Sequence, residues 1–198
     1  MLASISHDLQ TPMTRMRLRI EHMKDKAMRE HILHDWYAMR NLVDEGLRLA
    51  RAAYEKETNL LVDLDSLIDT VVTDATDSGQ DVIYAQRSKL QLSLAPNSIG
   101  RCLANLVNNA AIHGGSAELR VEESARTVTI RVLDNGPGIA QDQLDAVMRP
   151  FFQARDCKKG SGLGLSIAKL LAENNGVQLK LSNRSSGGLE ARLIIARD

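Results

Sequence analysis

Leu2, Ile5, Leu9, Pro12, Met16, Ile20 (beside Arg19) and Met23 recur at alternating steps of three and four residues. That spacing predicts a helix over 1–25 with a seam for partner helices. Lys24, Asp25 and Lys26 are polar and predict a turn. A second helix follows over about 28–56, with Ile32, Trp36, Met39, Val43, Gly46, Leu49, Ala50 and Ala53 along its apolar stripe. Two antiparallel helices share one seam only. A hairpin of this length therefore leaves apolar surface that a second copy of the chain would bury as a four-helix bundle.

The period changes after the polar run 55–59, so the chain is expected to divide into a hairpin domain over 1–57 and a second domain over 58–198. A strand is expected over 60–64, then a helix to about Thr76 with Asp65 as its cap and Leu67, Ile68, Val71, Val72 and Ala75 on its apolar side. Short strands are expected over 82–84 and 89–94. Pro96 and Asn97 open a helix to about His113. A hairpin of strands over 117–122 and 127–133 comes next, then a helix over 161–174 ending at Gly176. Strands over 177–181 and 189–195 close the chain around the turn 185–188. The expected class is α+β: a helical hairpin in a dimeric four-helix bundle, followed by an α/β sandwich.

Composition narrows the partners. Twenty-five basic and twenty-five acidic residues cancel, so there is no general attraction to nucleic acid or to an anionic membrane, and binding must come from local sites. Aromatic residues are only 3% of the chain, so aliphatic side chains must fill the core. Cys102 and Cys157 have no metal-type pairing, which fits a reducing, cytoplasmic setting. The sequence contains no signal peptide and no apolar run of about 18 residues.

Four stretches carry candidate chemistry. With Leu2 at heptad position a, His7 falls at f, pointing away from the seam, with Asp8 beside it. Pro12 removes the hydrogen bond to the Asp8 carbonyl and is expected to bend the helix there. Asn105, Asn109 and His113 are spaced by four and form one row on their helix. Their amide oxygens suit Mg²⁺, though Asn108 next door leaves the register open. Residues 128, 130, 132 and 134 share one strand face, three aliphatic and the last an Asp, which should point into the mouth of a pocket and accept from an amine. Gly136 and Gly138 let backbone pass close by. Gly160, Gly162 and Gly164 precede and open a helix, where side-chain-free backbone and unpaired N–H groups suit phosphate. No strand leads directly into that run and no Gly-Lys-Ser/Thr is present, so it is neither a Rossmann nor a P-loop signal.

His7-Asp8 with Thr11-Pro12, Asn105 to Ala110, Asp134 to Gly138 and Gly160 to Leu165 resemble, in order, the boxes of bacterial sensor histidine kinases. The resemblance runs from His7 to about Gly176. It implies a homodimer that binds Mg-ATP in its C-terminal domain and phosphorylates His7. It implies Asp8 as the acceptor of one ring proton and Thr11 as the residue that orients water for dephosphorylation of a response regulator. It places Asn109 as magnesium ligand with Asn105 as its support. Asp134 would read the adenine amine. His113, Gly136, Gly138, Phe151, Gly160, Gly162, Leu163, Gly164 and Leu165 fall in the nucleotide boxes. Arg155, Lys158 and Lys159 lie in a short segment resembling the family's mobile lid and are candidates for the γ-phosphate.

The partner implied is a response-regulator receiver domain, to whose aspartate the phosphoryl group passes. The setting implied is a cytoplasmic fragment of an inner-membrane sensor, with membrane contact only through an upstream region. Two departures stand out: Ile112 where Lys or Arg is usual, and Gln10 where Arg is frequent. By resemblance the same pocket also occurs in ATPases such as gyrase and MutL, where no His is phosphorylated. A dimeric scaffold that binds ATP weakly or not at all is a second alternative.

Overall fold

The computed structural model describes residues 2–54, 57–153 and 160–197, with the backbone alone for residues 2–8 and 54. The chain falls into two compact units, Met1–Tyr54 and Glu55–Asp198. Among the described residues, no helix is long and apolar enough to cross a membrane.

The first unit is a hairpin of α1 (Leu2–Glu21) and α2 (Lys26–Tyr54). α1 runs through Pro12 as one helix. Asp25 Oδ1 accepts from the Met28 N–H at 3.1 Å and so satisfies one open donor at the start of α2. Within the hairpin only part of the heptad seam expected on α1 is covered. Leu9, Pro12 and Met16 are exposed, while Ile20 is buried and Met13 and Arg17 are half-buried. The reason is Trp36. Its ring, 4% exposed, lies against α1, and its Nε1 donates to the Met13 carbonyl at 3.1 Å. The guanidinium groups of Arg17 and Arg40 lie 5.9 and 5.6 Å from its centroid. The largest side chain of the hairpin thus selects the flank of α1 that carries Met13 and Arg17, and Leu9, Pro12 and Met16 of the seam stay exposed. Thr11, Thr14 and Leu18, which continue the helical stripe begun by His7, are also exposed.

The second unit is a five-stranded sheet with helices on one face. The elements are β1 (Leu60–Asp63), α3 (Leu64–Asp77), β2 (Val82–Gln86), β3 (Gln91–Leu94), α4 (Pro96–Gly114), β4 (Ala117–Glu123), β5 (Thr127–Leu133), α5 (Gly164–Asn174), β6 (Gln178–Asn183) and β7 (Leu189–Ala196). Two 3₁₀ turns, Gln141–Gln143 and Ala146–Met148, lie between β5 and α5. The sheet order is β2-β4-β5-β7-β6, antiparallel except for the parallel pair β2-β4, and β1 and β3 form a separate two-stranded ladder. Leu119, Val121, Val128, Ile130, Val132, Leu193 and Ile195 are buried from alternate strand positions. Against them sit Ile68 of α3, Ile99, Leu103 and Leu106 of α4, and Leu171 of α5. Arg131, on the opposite face, is shared between Glu122 and Glu190.

Several boundaries differ from the sequence expectation for local reasons. Asp63, not Asp65, caps α3, accepting from Ser66 N–H at 2.8 Å. Asp65 is drawn away to Tyr84 Oη and to the backbone N–H groups of Ser88 and Lys89. Burial pushes the Asp65 carboxyl up, but those hydrogen bonds outweigh it and hold it below its ordinary value. Lys89 is consequently held at φ 57°, and β3 begins only at Gln91. α5 begins at Gly164 rather than Ser161, because Gly160 and Gly162 sit at φ 94° and 74°, outside any right-handed helix.

The division between units falls after Tyr54, where the sequence put it after residue 57. Glu57 explains the difference. Its carboxylate accepts from Asn97 N–H at 3.1 Å, Asn97 Nδ2 at 2.8 Å and Ser98 N–H at 2.8 Å, capping α4 in place of Ala95, which has no side chain able to do so. Glu57→Ala is expected to cost about 1–2 kcal/mol of stability. Burial raises the Glu57 carboxyl, but the bonds from Ser98 and Asn97 outweigh it and leave it below 4.5. A lowered folded value means a contribution present above pH 4.5 and lost as pH falls through that value. Urea melts of wild type and variant should converge on acidification; a gap that does not change with pH would rule out the capping role.

Candidate functional site

α4 carries the first wall of the site. Burial of Ile99, Leu103, Leu106 and Ala110 turns Asn105 and Asn109 to its half-buried flank. Asn105 Nδ2 donates to the Arg101 carbonyl at 2.8 Å, which fixes the amide. Asn108 points elsewhere: it is exposed and its Oδ1 accepts from Gln80 Nε2 at 3.0 Å. Asn109 makes no side-chain hydrogen bond among the described residues and is the amide left available. His113 is half-buried in the last turn, and Ile112 is exposed.

Asp134 closes the apolar face of β5, as the alternation predicts, and is 5% exposed. Its Oδ1 accepts from Gly136 N–H at 2.8 Å and Leu189 N–H at 3.0 Å. Oδ2 takes no hydrogen bond among the described residues. The carboxylate thus has one oxygen fixed and one free to accept. The end of α4 is pressed against it. A Cβ on Gly114 would lie 2.5 Å from Asp134 Cβ, and one on Gly136 would lie 2.8 Å from the His113 carbonyl. Only glycine permits that approach.

The third wall is the glycine turn. A Cβ on Gly162 would lie 2.7 Å from the Phe152 carbonyl. Phe151 N–H donates to Gly162 O at 3.1 Å, and Gln153 Nε2 donates to Gly160 O at 2.7 Å. These two bonds tie the glycine turn to residues 151–153. Arg155, Lys158 and Lys159 lie outside the described residues. Phe151 itself is 65% exposed at φ 62°. Leu163 and Leu165 turn their side chains into the core, at 0% and 8% exposure, so what they offer a ligand is backbone N–H. No side chain caps the first turn of α5, whose opening N–H groups have no intrahelical partners. A Cβ on Gly164 would lie 3.8 Å from Asn105 Oδ1. The asparagine helix and the glycine turn therefore face each other at close range.

The structure thus brings Asn105, Gly164, Asp134, Gly136 and His113 around α4. Thr11 belongs to the other unit, as do His7 and Asp8, whose side chains lie outside the described residues. Sequence reasoning missed Asn183 and Arg184. Asn183 pairs its amide with the Ile139 backbone in both directions, at 2.9 and 2.6 Å. Arg184 Nη1 donates to the Asp134 carbonyl and, at 3.0 Å, to Asn135 Oδ1. Gly138 and Gly188 are the counterparts of this clamp. A Cβ on Gly138 would lie 2.7 Å from Asn183 Oδ1, and one on Gly188 would lie 2.0 Å from the Asp134 carbonyl. No periodicity or motif in the sequence joins 183–188 to Asp134.

No group of three or more His, Cys, Asp or Glu side chains among the described residues would hold a metal ion. An ion here would rely on an amide oxygen together with ligand phosphates, and the unbonded Asn109 amide fits that need. Cys102 is fully buried and donates to the Ala168 carbonyl; burial pushes its thiol up to about 12, so it is an inert core residue.

Residues 95–197, slightly more than half of the chain, match the family described as histidine kinase-, DNA gyrase B- and HSP90-like ATPases. The chain belongs to that ATPase family. The match spans α4 through β7, so it contains every wall of the site just described. Over 197 residues, all of this chain and 41% of the relative, it is 32% identical to the sensor histidine kinase GtrS of Pseudomonas aeruginosa. The chain therefore spans about two fifths of that relative's length. The fold is shared with full-length ShkA in complex with AMPPNP (TM-score 0.72, 23% identity, 98% of this chain and 45% of that one). It is also shared with the Acinetobacter baumannii histidine kinase AdeS (TM-score 0.70, 20% identity, 96% of this chain and 97% of that one).

Proposed function

We propose that this chain is the catalytic core of a two-component sensor histidine kinase: the 55–198 unit binds ATP, and His7 on the hairpin takes its γ-phosphoryl group. The observation that carries the reading is the convergence of three sequence-distant boxes on α4, with Asp134 presenting one fixed and one free carboxylate oxygen. Oδ2 of Asp134 accepts from the exocyclic amine of adenine. Gly136 and Gly138 admit the base against bare backbone. The N–H groups opening α5, beside the glycine turn, receive phosphate oxygens. Magnesium, held by Asn109 Oδ1 and phosphate oxygens, would neutralise charge on the phosphates.

The ring nitrogen of His7 attacks the γ-phosphorus in line as the bond to the bridging oxygen breaks and ADP departs. Asp8 accepts the proton of the other ring nitrogen, which keeps the attacking lone pair available. The phosphoryl group then passes to an aspartate of a response-regulator receiver domain. The open stripe of Leu9, Pro12 and Met16, beside a cleft of about 250 Å³ between α1 and α2, supports a homodimer in which a second hairpin covers it. We place this unit on the cytoplasmic side of a longer sensor protein.

The test is incubation with γ-labelled Mg-ATP. Acid-labile label on the protein is expected. Label in free phosphate alone would instead make the chain an ATPase of the gyrase type, and no turnover would make it an interaction module. Thr11 lies one helical turn beyond His7 and is exposed. Thr11→Ala is expected to leave autophosphorylation intact while dephosphorylation of the phosphorylated regulator falls on the order of a hundredfold. An unchanged release of phosphate from the regulator would remove Thr11 from that step.

A further inference from the structure

We infer that Asn183, the last residue of β6, and Arg184, on the turn that leads to β7, are positioning residues that set the nucleobase selectivity of the Asp134 site. The inference rests on the reading of that site as the adenine pocket.

Asp134 is the last residue on its strand face, and the chain beyond it to Ile139 has no regular secondary structure. Left alone, such a stretch would not hold a carboxylate to the fraction of an ångström that base discrimination needs. The segment 183–189, from the end of β6 to the start of β7, supplies the missing support at three points. Leu189 N–H fixes Oδ1 of Asp134 at 3.0 Å, and Asp134 N–H donates back to the Leu189 carbonyl at 3.0 Å. Arg184 donates to the backbone carbonyl of the same residue and to the side chain of the next, so main chain and carboxylate of Asp134 are held by one turn. Asn183 then fixes Ile139 at the far end of the stretch.

Arg184 is half-buried and makes no ion pair among the described residues. Its charged donor is given to a backbone carbonyl, a use that a solvated surface arginine does not need. The turn holds itself in shape by Arg184 N–H to Gly188 O at 2.9 Å and Gly187 N–H to Arg184 O at 3.1 Å. Gly188, at φ 92°, lies so close to the Asp134 carbonyl that no side chain would fit. The guanidinium is thus carried on a rigid turn.

The consequence is selectivity. With Oδ1 locked, Oδ2 is a pure acceptor at a fixed place. It suits the amino group of adenine and repels the carbonyl oxygen that guanine carries at the same ring position. Loosening Asp134 costs adenine its hydrogen bond and gives guanine nothing to lose.

The experiment is calorimetric titration of the whole chain with Mg-ADP and Mg-GDP. Arg184→Met is expected to weaken ADP about tenfold while GDP changes less than about twofold. Arg184→Lys, which keeps one donor for the Asp134 carbonyl, should restore about half of the lost selectivity on a logarithmic scale. Asn183→Asp, which leaves an acceptor facing the Ile139 carbonyl, should also lower the ADP-to-GDP ratio. If both nucleotides weaken equally, or only the melting temperature falls, the residues are merely structural and the inference fails. If wild type prefers ADP, Asp134→Asn removes the preference and both turn variants retain it, the inference fails while the pocket reading stands. A wild type with no preference for ADP sinks the pocket reading itself. Should Arg184→Met not fold by circular dichroism, Arg184→Lys carries the same comparison.

Discussion

Replacing His7 by glutamine is expected to abolish incorporation of the γ-phosphoryl group, by on the order of a thousandfold or more, with ADP affinity unchanged within about twofold. Glutamine is a good helix former, so α1 should tolerate it. Thr11, Thr14 and Leu18, which continue the stripe of His7, are exposed. The nucleotide boxes all lie in the 55–198 unit, so binding should survive while the acceptor is lost. His22, His31 and His34 are exposed on the same hairpin and are the natural controls. Replacing those three together should leave labelling intact. Acid-labile label persisting on the His7 variant would assign the acceptor to another residue.

Asn109→Ala should weaken Mg-dependent nucleotide binding by about 10–100-fold. Residual binding in chelator should change little, because the lost group is the amide oxygen assigned to the ion. Asn108 makes the comparison decisive. It is adjacent in sequence, yet its amide is bonded to Gln80. Asn108→Ala should therefore cost nucleotide affinity no more than about twofold. Equal losses at the two positions would mean that the helix, and not the amide, had been damaged. Unchanged affinity at Asn109 would move the ion elsewhere.

Much of the site was legible because its signals are local. Gly160, Gly162 and Gly164 mark a turn from composition alone, and two of them do take the left-handed backbone that favours glycine. The alternation over 128–134 put Asp134 at the end of a buried face, where it is. The cap of α3 was misassigned because Asp63 and Asp65 are equally good candidates by residue type. The choice between them was made by Tyr84 and by the backbone of Ser88 and Lys89, about twenty residues away. Which flank of α1 faces α2 was decided by Trp36, a choice that a heptad, which counts apolar positions without weighing them, does not make.

By itself, the amino-acid sequence determined the order of helices and strands, the two-part organisation and the residue types available for phosphate, base and metal, because periodicity and backbone preference act over a few neighbouring residues. The tertiary structure alone decided which asparagine amide stays unbonded, which oxygen of Asp134 remains open, that Glu57 caps α4 across 40 positions, and that Asn183 and Arg184 hold the stretch from Asp134 to Ile139. These are contacts between segments far apart in sequence. Their partners are chosen by packing, burial and donor geometry once the sheet and helices have come together, and no local pattern encodes that choice.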